Sequence, residues 1–535
     1  VWMDNLTRQA IRWEALWLRF QPRTPMGQRA KRSLSPFMPG EETEWQACLV
    51  EQEHLLEAFR RDPEWMSRME IHLSKTPDPT QTVRMLESGE IPKASDWFRI
   101  KSFLWHGWHL CSMVRNEIPG FRLKREASEW KRVLSLLNPD PPLSPNFFLS
   151  SAYDSRLKER REQVEKENRW VRKAEEQAVL DVERDFPIQQ NGDGEWVVDR
   201  RSPHFLDMKN DSRVQLVRET PFDGVFCPVE TEVLKAARMR REEANTDLEA
   251  VEHDVFQQLA ETFRPYIPFL RDAILDLATL DVQWARVKMA ESYNGTRPKW
   301  EAESYRIQGG IHPLVAESLK EKERTFTPVD INIHRGVTVI IGPNMGGKTV
   351  VLTTVGLVVA LGQFGFLVPA RSCSMPLVSW MTAAIGDAQN IREGLSTFGA
   401  EVRRIVEAIK RDSTGLLLLD EPGRGTNPVE GAALSAAMTN DLAKRPFWTL
   451  QVTHFREVLQ GTEVTVYRVA GLEGIDRFQD REDEDWEKAL EQAMDYRLLP
   501  WSGESIPQDA LVIARLLGLP SSILQDAWKR IGNGG

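Results

Sequence analysis

The run Gly342-Pro343-Asn344-Met345-Gly346-Gly347-Lys348-Thr349 fits the pattern G-x-x-x-x-G-K-[ST]. Small residues let successive backbone N–H groups close around phosphate oxygens, and a following helix N-terminus adds a favourable dipole. In that chemistry the Lys348 ammonium reaches the β- and γ-phosphates of ATP, and the Thr349 hydroxyl sits on Mg2+. Asp420 and Glu421 come 72 and 73 residues after Lys348, at the end of the apolar run Leu416 to Leu419. Two carboxylates at the carboxyl end of a buried strand stand where α/β sheets bind ligands. Asp420 is placed to hold Mg2+, directly or through water, opposite Thr349. Glu421 can orient or deprotonate an attacking water. Thr453-His454 closes the next apolar run, Phe447 to Val452. A histidine there either senses the γ-phosphate or is a plain polar strand end.

These residues need a sheet to carry them. Val337 to Ile341 is β-branched and apolar, which predicts a buried strand before the glycine run; Val350 to Leu361 predicts a buried helix after it. From about residue 300 onward, short apolar strands (337–341, 415–419 and 447–452) alternate with helical segments, as in a mostly parallel sheet covered by helices.

The preceding residues have another texture. Residues 1–120 read as helical, with turns marked by Pro and Gly and clear helical spacing at Glu41–Phe59 and Lys93–Leu110. His106 and His109 lie three apart, but without a third ligand nearby ordinary packing is expected rather than a metal site. A Pro-rich transition over 121–150 leads into Ser155–Phe186, almost continuously charged and helix-favouring, which predicts a long projecting helix with solvated faces. Turn signals at Asn191–Gly194 and β-like stretches at 195–198, 214–217 and 222–226 predict a small hairpin-bearing tip. Helical pattern resumes from Glu230 to Phe263 and on to Met289. The outline is an arm that leaves a helical core, turns over and returns. Residues 153–254 hold 18 Lys/Arg against 25 Asp/Glu; a surface dedicated to gripping phosphates would show the opposite excess. The tail carries an acidic run, 480–485, and two helical segments, 507–517 and 521–531.

A chain of 535 residues is too long for one core and implies two to four domains. With 41% hydrophobic and 28% charged residues, and no run near the ~18 apolar residues of a membrane span, it reads as globular and without a membrane partner. The N-terminal residues lack a signal-peptide core, and the four cysteines lie far apart, so a reducing cytoplasm is the expected location. A net charge of −10 argues against non-specific nucleic-acid coating, while leaving room for a local basic groove. The 18 tryptophans are scattered and read as packing residues.

Further segments carry a resemblance. Ile385 to Phe398 reads I-G-D-A-Q-N-I-R-E-G-L-S-T-F, and Asp420 to Pro428 reads D-E-P-G-R-G-T-N-P. With the glycine run, Val368-Pro369-Ala370, Thr453-His454 and the opening His312-Pro313-Leu314, they resemble the MutS family, ABC-type ATPases of DNA mismatch repair and their relatives. Weaker likenesses extend to Thr24-x-x-Gly27, to Gly89–Leu104, to Leu280-Asp281-Val282 with Arg297-Pro298, and to Tyr496-Arg497-Leu498. The resemblance implies a multidomain fold, a mainly α-helical core with long lever or arm helices followed by an α/β P-loop (ABC-type) ATPase domain. Its expected boundaries are 1–120 for the core, 121–299 for the lever with its tip at about 187–228, 300–470 for the ATPase domain and 471–535 for a helical dimerisation element.

The resemblance also implies roles. Gly342 to Thr349 would bind ATP, with Asp420 and Glu421 serving Mg2+ and water. Ser396, Thr397 and Phe398 would reach across a dimer to the other subunit's γ-phosphate. Gly423 to Asn427 would cross the dimer interface, His454 would be the switch histidine, and Phe326 would lie against adenine. Partners implied are a second copy or a MutS-like heterodimer partner. Pro422 departs from the aliphatic residue usual after Asp-Glu. The segment 385–391 and Gly-Thr-Asn-Pro look more like the second MutS subfamily, which lacks the mismatch-reading and connector domains but carries a nuclease-type end. Neither a mismatch reader nor a nuclease tail is expected here. Size and tail also suit MutS-like ATPases that reactivate adenosylcobalamin-dependent lysine or ornithine aminomutases. The expected target is therefore a protein of the aminomutase type, with mismatched or structured DNA as the alternative.

Overall fold

The structure is a computed structural model that describes residues 2–342, 347–385, 397–460, 463–472 and 494–501, with Gly503, Leu511, Ala514 and 519–532. The chain divides into two compact units, each discontinuous in sequence. One comprises Lys75–Ser112 and Leu123–Asp276; the other comprises Val1–Ser74, Met113–Arg122 and Leu277–Gly535.

The first unit is built on two long helices, Ser155–Asp185 and Glu232–Phe263. Asp154 and Thr231 cap their first turns with side-chain oxygens. They run antiparallel, because Arg156 pairs with Asp254, Arg160 with Asp247 and Arg161 with Glu252, while Arg238 pairs with Glu175 further along. Such exposed pairs contribute only about 0–1 kcal/mol each; Val171, Leu234 and Ala237 supply an apolar seam between the helices. Many of the arm's cations are thus already held by its own carboxylates.

At the far end of these helices β1 (Trp196–Asp199), β2 (Val214–Glu219) and β3 (Asp223–Pro228) form an antiparallel sheet in the order β1-β3-β2. Trp196, Val198, Phe226, Phe205 and Met208 make its core with Val182 and Phe186 of the arm. These strands overlap the β-like stretches at 195–198, 214–217 and 222–226, with one addition between them. The helix His204–Asn210 between β1 and β2 is too short for periodicity to reveal, and its buried pair is Phe205 and Met208. Elsewhere in this unit the Trp130 ring lies directly on Gly107, where an added Cβ would stand 2.0 Å from a ring carbon. His109 packs against Trp105 and Trp108, ring centroids 4.6 Å away in each case, so packing accounts for its position.

Among the described residues the second unit carries ten strands: β4 (Lys299–Trp300), β5 (Ser304–Gly310), β6 (Val329–His334), β7 (Gly336–Ile341), β8 (Ser372–Met375), β9 (Trp380–Ala384), β10 (Gly415–Asp420), β11 (Trp448–Thr453), β12 (Thr465–Leu472) and β13 (Met494–Pro500). Six of them form one sheet, ordered β13-β12-β7-β11-β10-β9. Neighbours within it are parallel except β13, which runs antiparallel to β12 at the edge. β7, β11 and most of β10 are buried on both faces, which is why Val337–Ile341 and Leu416–Leu419 read as unbroken apolar runs rather than alternating ones. β4, β8, β5 and β6 make a second, mixed sheet. That sheet has no counterpart in the sequence reading, because its strands are short and interrupted by glycine and charge.

The helix Lys348–Gln363 packs on the large sheet; at Gly356 an added Cβ would lie 2.7 Å from Leu418. The opposite face is filled by Val337, Val339, Leu417 and Leu419 with Ile405 and Leu442 from the helices Thr397–Ile409 and Pro428–Leu442. Two of the distant fragments meet here. Asp281 accepts hydrogen bonds from Arg23 N, Thr24 N and Thr24 Oγ1 at 2.7–2.8 Å. A Cβ on Gly27 would fall 2.1 Å from its carboxylate.

The far end of the helix Lys348–Gln363 is anchored by side chains. Helix C-termini leave carbonyls without intrahelical partners. Here Trp45 Nε1 donates to Gly362 O at 2.7 Å, Gln52 Nε2 to Gly365 O at 2.7 Å and Arg286 Nη2 to Phe364 O at 2.9 Å. Trp45 and Gln52 lie on the helix Glu42–Arg61, and Arg286 on Ile267–Ser292.

Candidate functional site

The cluster lies at the carboxyl ends of β7, β10 and β11. β7 ends at Ile341 and is followed by Gly342; the helix begins at Lys348 after Gly347. Gly347 has φ +71°, a left-handed conformation that favours glycine, and a Cβ there would stand 3.0 Å from the Tyr496 ring of β13. Pro343, Asn344, Met345, Gly346 and Ser396 lie outside the described residues, as does the segment 386–396 in general. Thr397 opens the helix Thr397–Ile409. Phe326 is half-buried in the loop that leads into β6.

Lys348 is buried. Its Nζ donates to Gly342 O at 2.7 Å and stands 3.2 Å from Glu421 Oε1. Thr349 Oγ1 donates to Asp420 Oδ2 at 2.8 Å. Glu421 follows Asp420 with φ +51°, a left-handed conformation that costs a residue with a Cβ on the order of 1–3 kcal/mol. Its backbone N–H donates to Val452 O on β11 at 2.8 Å, which fixes the turn. His454 Nδ1, one residue beyond β11, reaches Glu421 Oε1 at 3.4 Å. Strand pairing of β10 with β11 thus delivers Glu421 and His454 side by side, while β7 and its helix bring Lys348 and Thr349 to meet them. The sequence indicates Lys348, Thr349, Asp420, Glu421 and His454 separately, and the fold brings all five together.

The electrostatics differentiate the two carboxylates. Burial raises the Asp420 carboxyl, the Thr349 hydrogen bond lowers it and the Glu421 charge raises it again; the balance lies above its ordinary value. Burial also acts to raise Glu421, but His454 and the Lys348 ammonium outweigh it and hold the carboxyl at about 2. Burial draws the Lys348 ammonium below its ordinary value, against the opposing pull of Glu421 and Asp420. Glu421 Oε2 is buried without a hydrogen bond; Arg424 Nη1 lies 3.2 Å away but is not aligned to donate. A buried carboxylate oxygen with unused acceptor capacity can take a proton-bearing ligand such as water. Thr349 and Asp420 offer adjacent hard oxygens, which suits Mg2+, a cation that takes one or two protein oxygens and keeps the rest for water and phosphate.

Glu401 was not indicated by the sequence. It lies one turn into the helix Thr397–Ile409 and has its carboxyl pushed up to about 7 by burial, with the Gly423 N–H lowering it and Asp420 adding to the rise. A lone glutamate in a helix reads as solvated surface; the spacing of Glu401 from Asp420 gives no signal.

Residues 338–532 match the family model described as MutS domain V. The chain is 35% identical over 277 residues to an endonuclease MutS2 of Halothermothrix orenii, a match covering 51% of this chain and 32% of that protein. It is 27% identical over 545 aligned positions to an endonuclease MutS2 of Synechocystis sp., covering 95% of this chain and 62% of the relative. It is 35% identical over 208 residues to a DNA mismatch repair protein MutS of Thermus thermophilus, covering 39% and 25%. The chain therefore spans between a quarter and two thirds of the length of these relatives.

Proposed function

Since this chain belongs to the MutS family through the domain at residues 338–532, we propose that it hydrolyses ATP at the Lys348–Asp420–Glu421 cluster and uses that cycle to act on structured DNA. The observation that carries this reading is the convergence of Lys348, Thr349, Asp420, Glu421 and His454 at the carboxyl ends of three inner strands of the parallel sheet. Lys348 and the backbone after Gly342 bind the phosphates of ATP. Thr349 and Asp420 hold Mg2+, which when bound offsets the negative charge of the phosphates. Glu421 orients the attacking water and accepts its proton as the bond from the γ-phosphorus to the bridging oxygen of ADP breaks. His454 fixes the orientation of the Glu421 carboxylate. Phe326 lies against the adenine, and residues 300–470 act as the ATPase domain.

In the same reading Ser396, Thr397, Phe398 and the loop Gly423–Asn427 face a second subunit, and residues 471–535 support dimerisation. Hydrolysis then depends on association, and ATP couples the paired heads to the arms. The names of the relatives speak of an endonuclease and of mismatch repair, both DNA activities, and give no support to a protein target of the aminomutase type. One observation still favours a protein partner: the arm's acidic excess and the internal pairing of its arginines.

The deciding experiment is the ATPase rate with and without branched, mismatched and fully paired duplex DNA at about 150 mM salt, where non-specific phosphate contacts are weakened. Stimulation selective for branched or mismatched DNA is expected. Equal rates with every DNA, together with stimulation by an adenosylcobalamin-dependent aminomutase, would replace DNA with a protein as the target.

A further inference from the structure

Cys48 lies on the helix Glu42–Arg61 and lines a cavity of about 270 Å3 together with Leu34, Phe37, Arg122, Gln283 and Arg286. Arg122 is exposed and the cavity opens to solvent, while Cys48, Gln283 and Arg286 are buried. A water takes about 30 Å3, so there is room beside the thiol for a molecule of a few heavy atoms.

Arg286 Nη1 stands 3.0 Å from Cys48 Sγ, and Gln52 Nε2 and Gln283 Nε2 each stand 3.5 Å from it. Arg286 is only 4% exposed, and among the described residues no carboxylate pairs with it. Its Nη1 also donates to Gln283 Oε1 at 3.2 Å and its Nη2 to Phe364 O at 2.9 Å, but its Nε is buried with no hydrogen-bond partner. A buried donor without an acceptor is unfavourable. This one belongs to a residue that borders both the cavity and the sulfur, and an oxygen attached to Sγ would supply the acceptor. The neighbours of the sulfur also hold the backbone just past the helix Lys348–Gln363. Gln52 Nε2 donates to Gly365 O at 2.7 Å, and a Cβ on Gly365 would lie 3.4 Å from Sγ.

We infer that Cys48 is a modification site for small peroxides, of which hydrogen peroxide is the simplest, and that its oxidation loosens the tail of the helix that begins at Lys348. The thiol gives up its proton, sulfur attacks one peroxide oxygen, the O–O bond breaks, and the departing oxygen leaves as water with that proton. Sulfur is oxidised by two electrons, the peroxide is reduced by two, and Cys48 becomes a sulfenic acid that thiols can reverse. The Arg286 cation stands beside the negative charge that sulfur carries as it attacks. A guanidinium is a rigid planar fork, so when Nε turns to the new oxygen, Nη2 turns away from Phe364 O. The site itself stands apart from the proposed ATPase reading; its effect on turnover rests on that reading.

The test treats the full chain with hydrogen peroxide, traps sulfenic acid with dimedone and locates the adduct by peptide mass spectrometry, with ATP hydrolysis measured before and after dithiothreitol. Cys48 should carry the adduct, while the buried Cys111 and Cys373 stay unlabelled. In the same samples without dimedone, kcat/KM for ATP should fall about fivefold or more, the scale of coupling between linked sites, and recover with dithiothreitol. C48S should keep its hydrolysis through the same treatment, and C48A serves the same purpose if C48S does not fold. An unlabelled Cys48, or an adduct confined to the less buried Cys227 of the tip, would overturn the inference. So would a labelled Cys48 with unchanged hydrolysis, or an equal loss of hydrolysis in C48S. A wild-type chain that hydrolyses no ATP would overturn the ATPase reading instead, because the adduct reports on the Cys48 site by itself.

Discussion

Lys348 Nζ and Glu421 Oε1 stand 3.2 Å apart, both side chains almost wholly shielded from solvent. A buried ion pair of this kind gains little net stability, because desolvation offsets the attraction, but each partner is costly to leave alone. Under the proposed function, an incoming γ-phosphate competes with Glu421 for the same ammonium. Binding then frees the carboxylate for water at the moment substrate is in place.

Substituting Glu421→Gln keeps the shape and removes the charge. Lys348 loses its competing partner, so ATP affinity is expected to hold or rise, while turnover falls about 100-fold or more, as for loss of a general base. Nucleotide titration and phosphate release measure the two separately. Turnover within about tenfold of wild type would remove Glu421 from the role assigned to it.

Thr349 and Asp420 share one hydrogen bond and one proposed cation. T349A and D420N should each raise the Mg2+ concentration for half-maximal turnover by at least the roughly 10- to 100-fold that loss of even an outer-shell ligand partner costs. A Mg2+ titration at saturating ATP checks this; unchanged Mg2+ dependence in both variants would place the cation elsewhere.

The two glutamates at the site predict opposite pH effects on stability. Glu421 is held at about 2, below its unfolded value near 4.5, so its contribution is present above pH 4.5 and is lost as pH falls toward 2. Glu401 is raised to about 7, so it adds no cost below pH 4.5 and an increasing one as pH climbs to 7, where its charge must form inside the fold. E401Q should therefore melt with wild type at pH 4 and above it at pH 8. Thermal unfolding at both values tests the sign, and a less stable E401Q at pH 8 would contradict it.

Gly107→Ala should destabilise the unit comprising 75–112 and 123–276. The new methyl meets the Trp130 ring at 2.0 Å, and overpacking of this kind costs about 1–3 kcal/mol. Urea unfolding followed by tryptophan fluorescence should show a lower midpoint; an unchanged midpoint would mean that the ring moves aside freely.

Much of the site is legible in the sequence because its chemistry is local. Lys348 and Thr349 follow a glycine run that is contiguous, and Asp420 and Glu421 terminate a strand whose burial on both faces forces four consecutive leucines. The long arm helices and the tip hairpin are legible for the same reason, through periodicity and turn residues. Glu401 is not, since its perturbed carboxyl comes from burial in the fold near Asp420, 19 positions later, and nothing in a helical Glu announces that burial. The mixed sheet of β4, β8, β5 and β6 is hidden by brevity. The meeting of Thr24 and Gly27 with Asp281 depends on a fold that joins residues more than 250 positions apart.

Trp45 grips Gly362 O in the last turn of the helix Lys348–Gln363, and Arg286 and Gln52 grip the carbonyls of Phe364 and Gly365 just beyond it, at the end remote from Lys348. A helix held only by apolar contacts can slide or fray at its tail, and a push at its head is dissipated there. This one is bolted to Glu42–Arg61 and Ile267–Ser292 by three directed bonds, all buried. Under the proposed function it would act as a rod with a fixed foot: displacement at the Lys348 end would reach those two helices, and strain imposed on them would return along the same rod to Lys348.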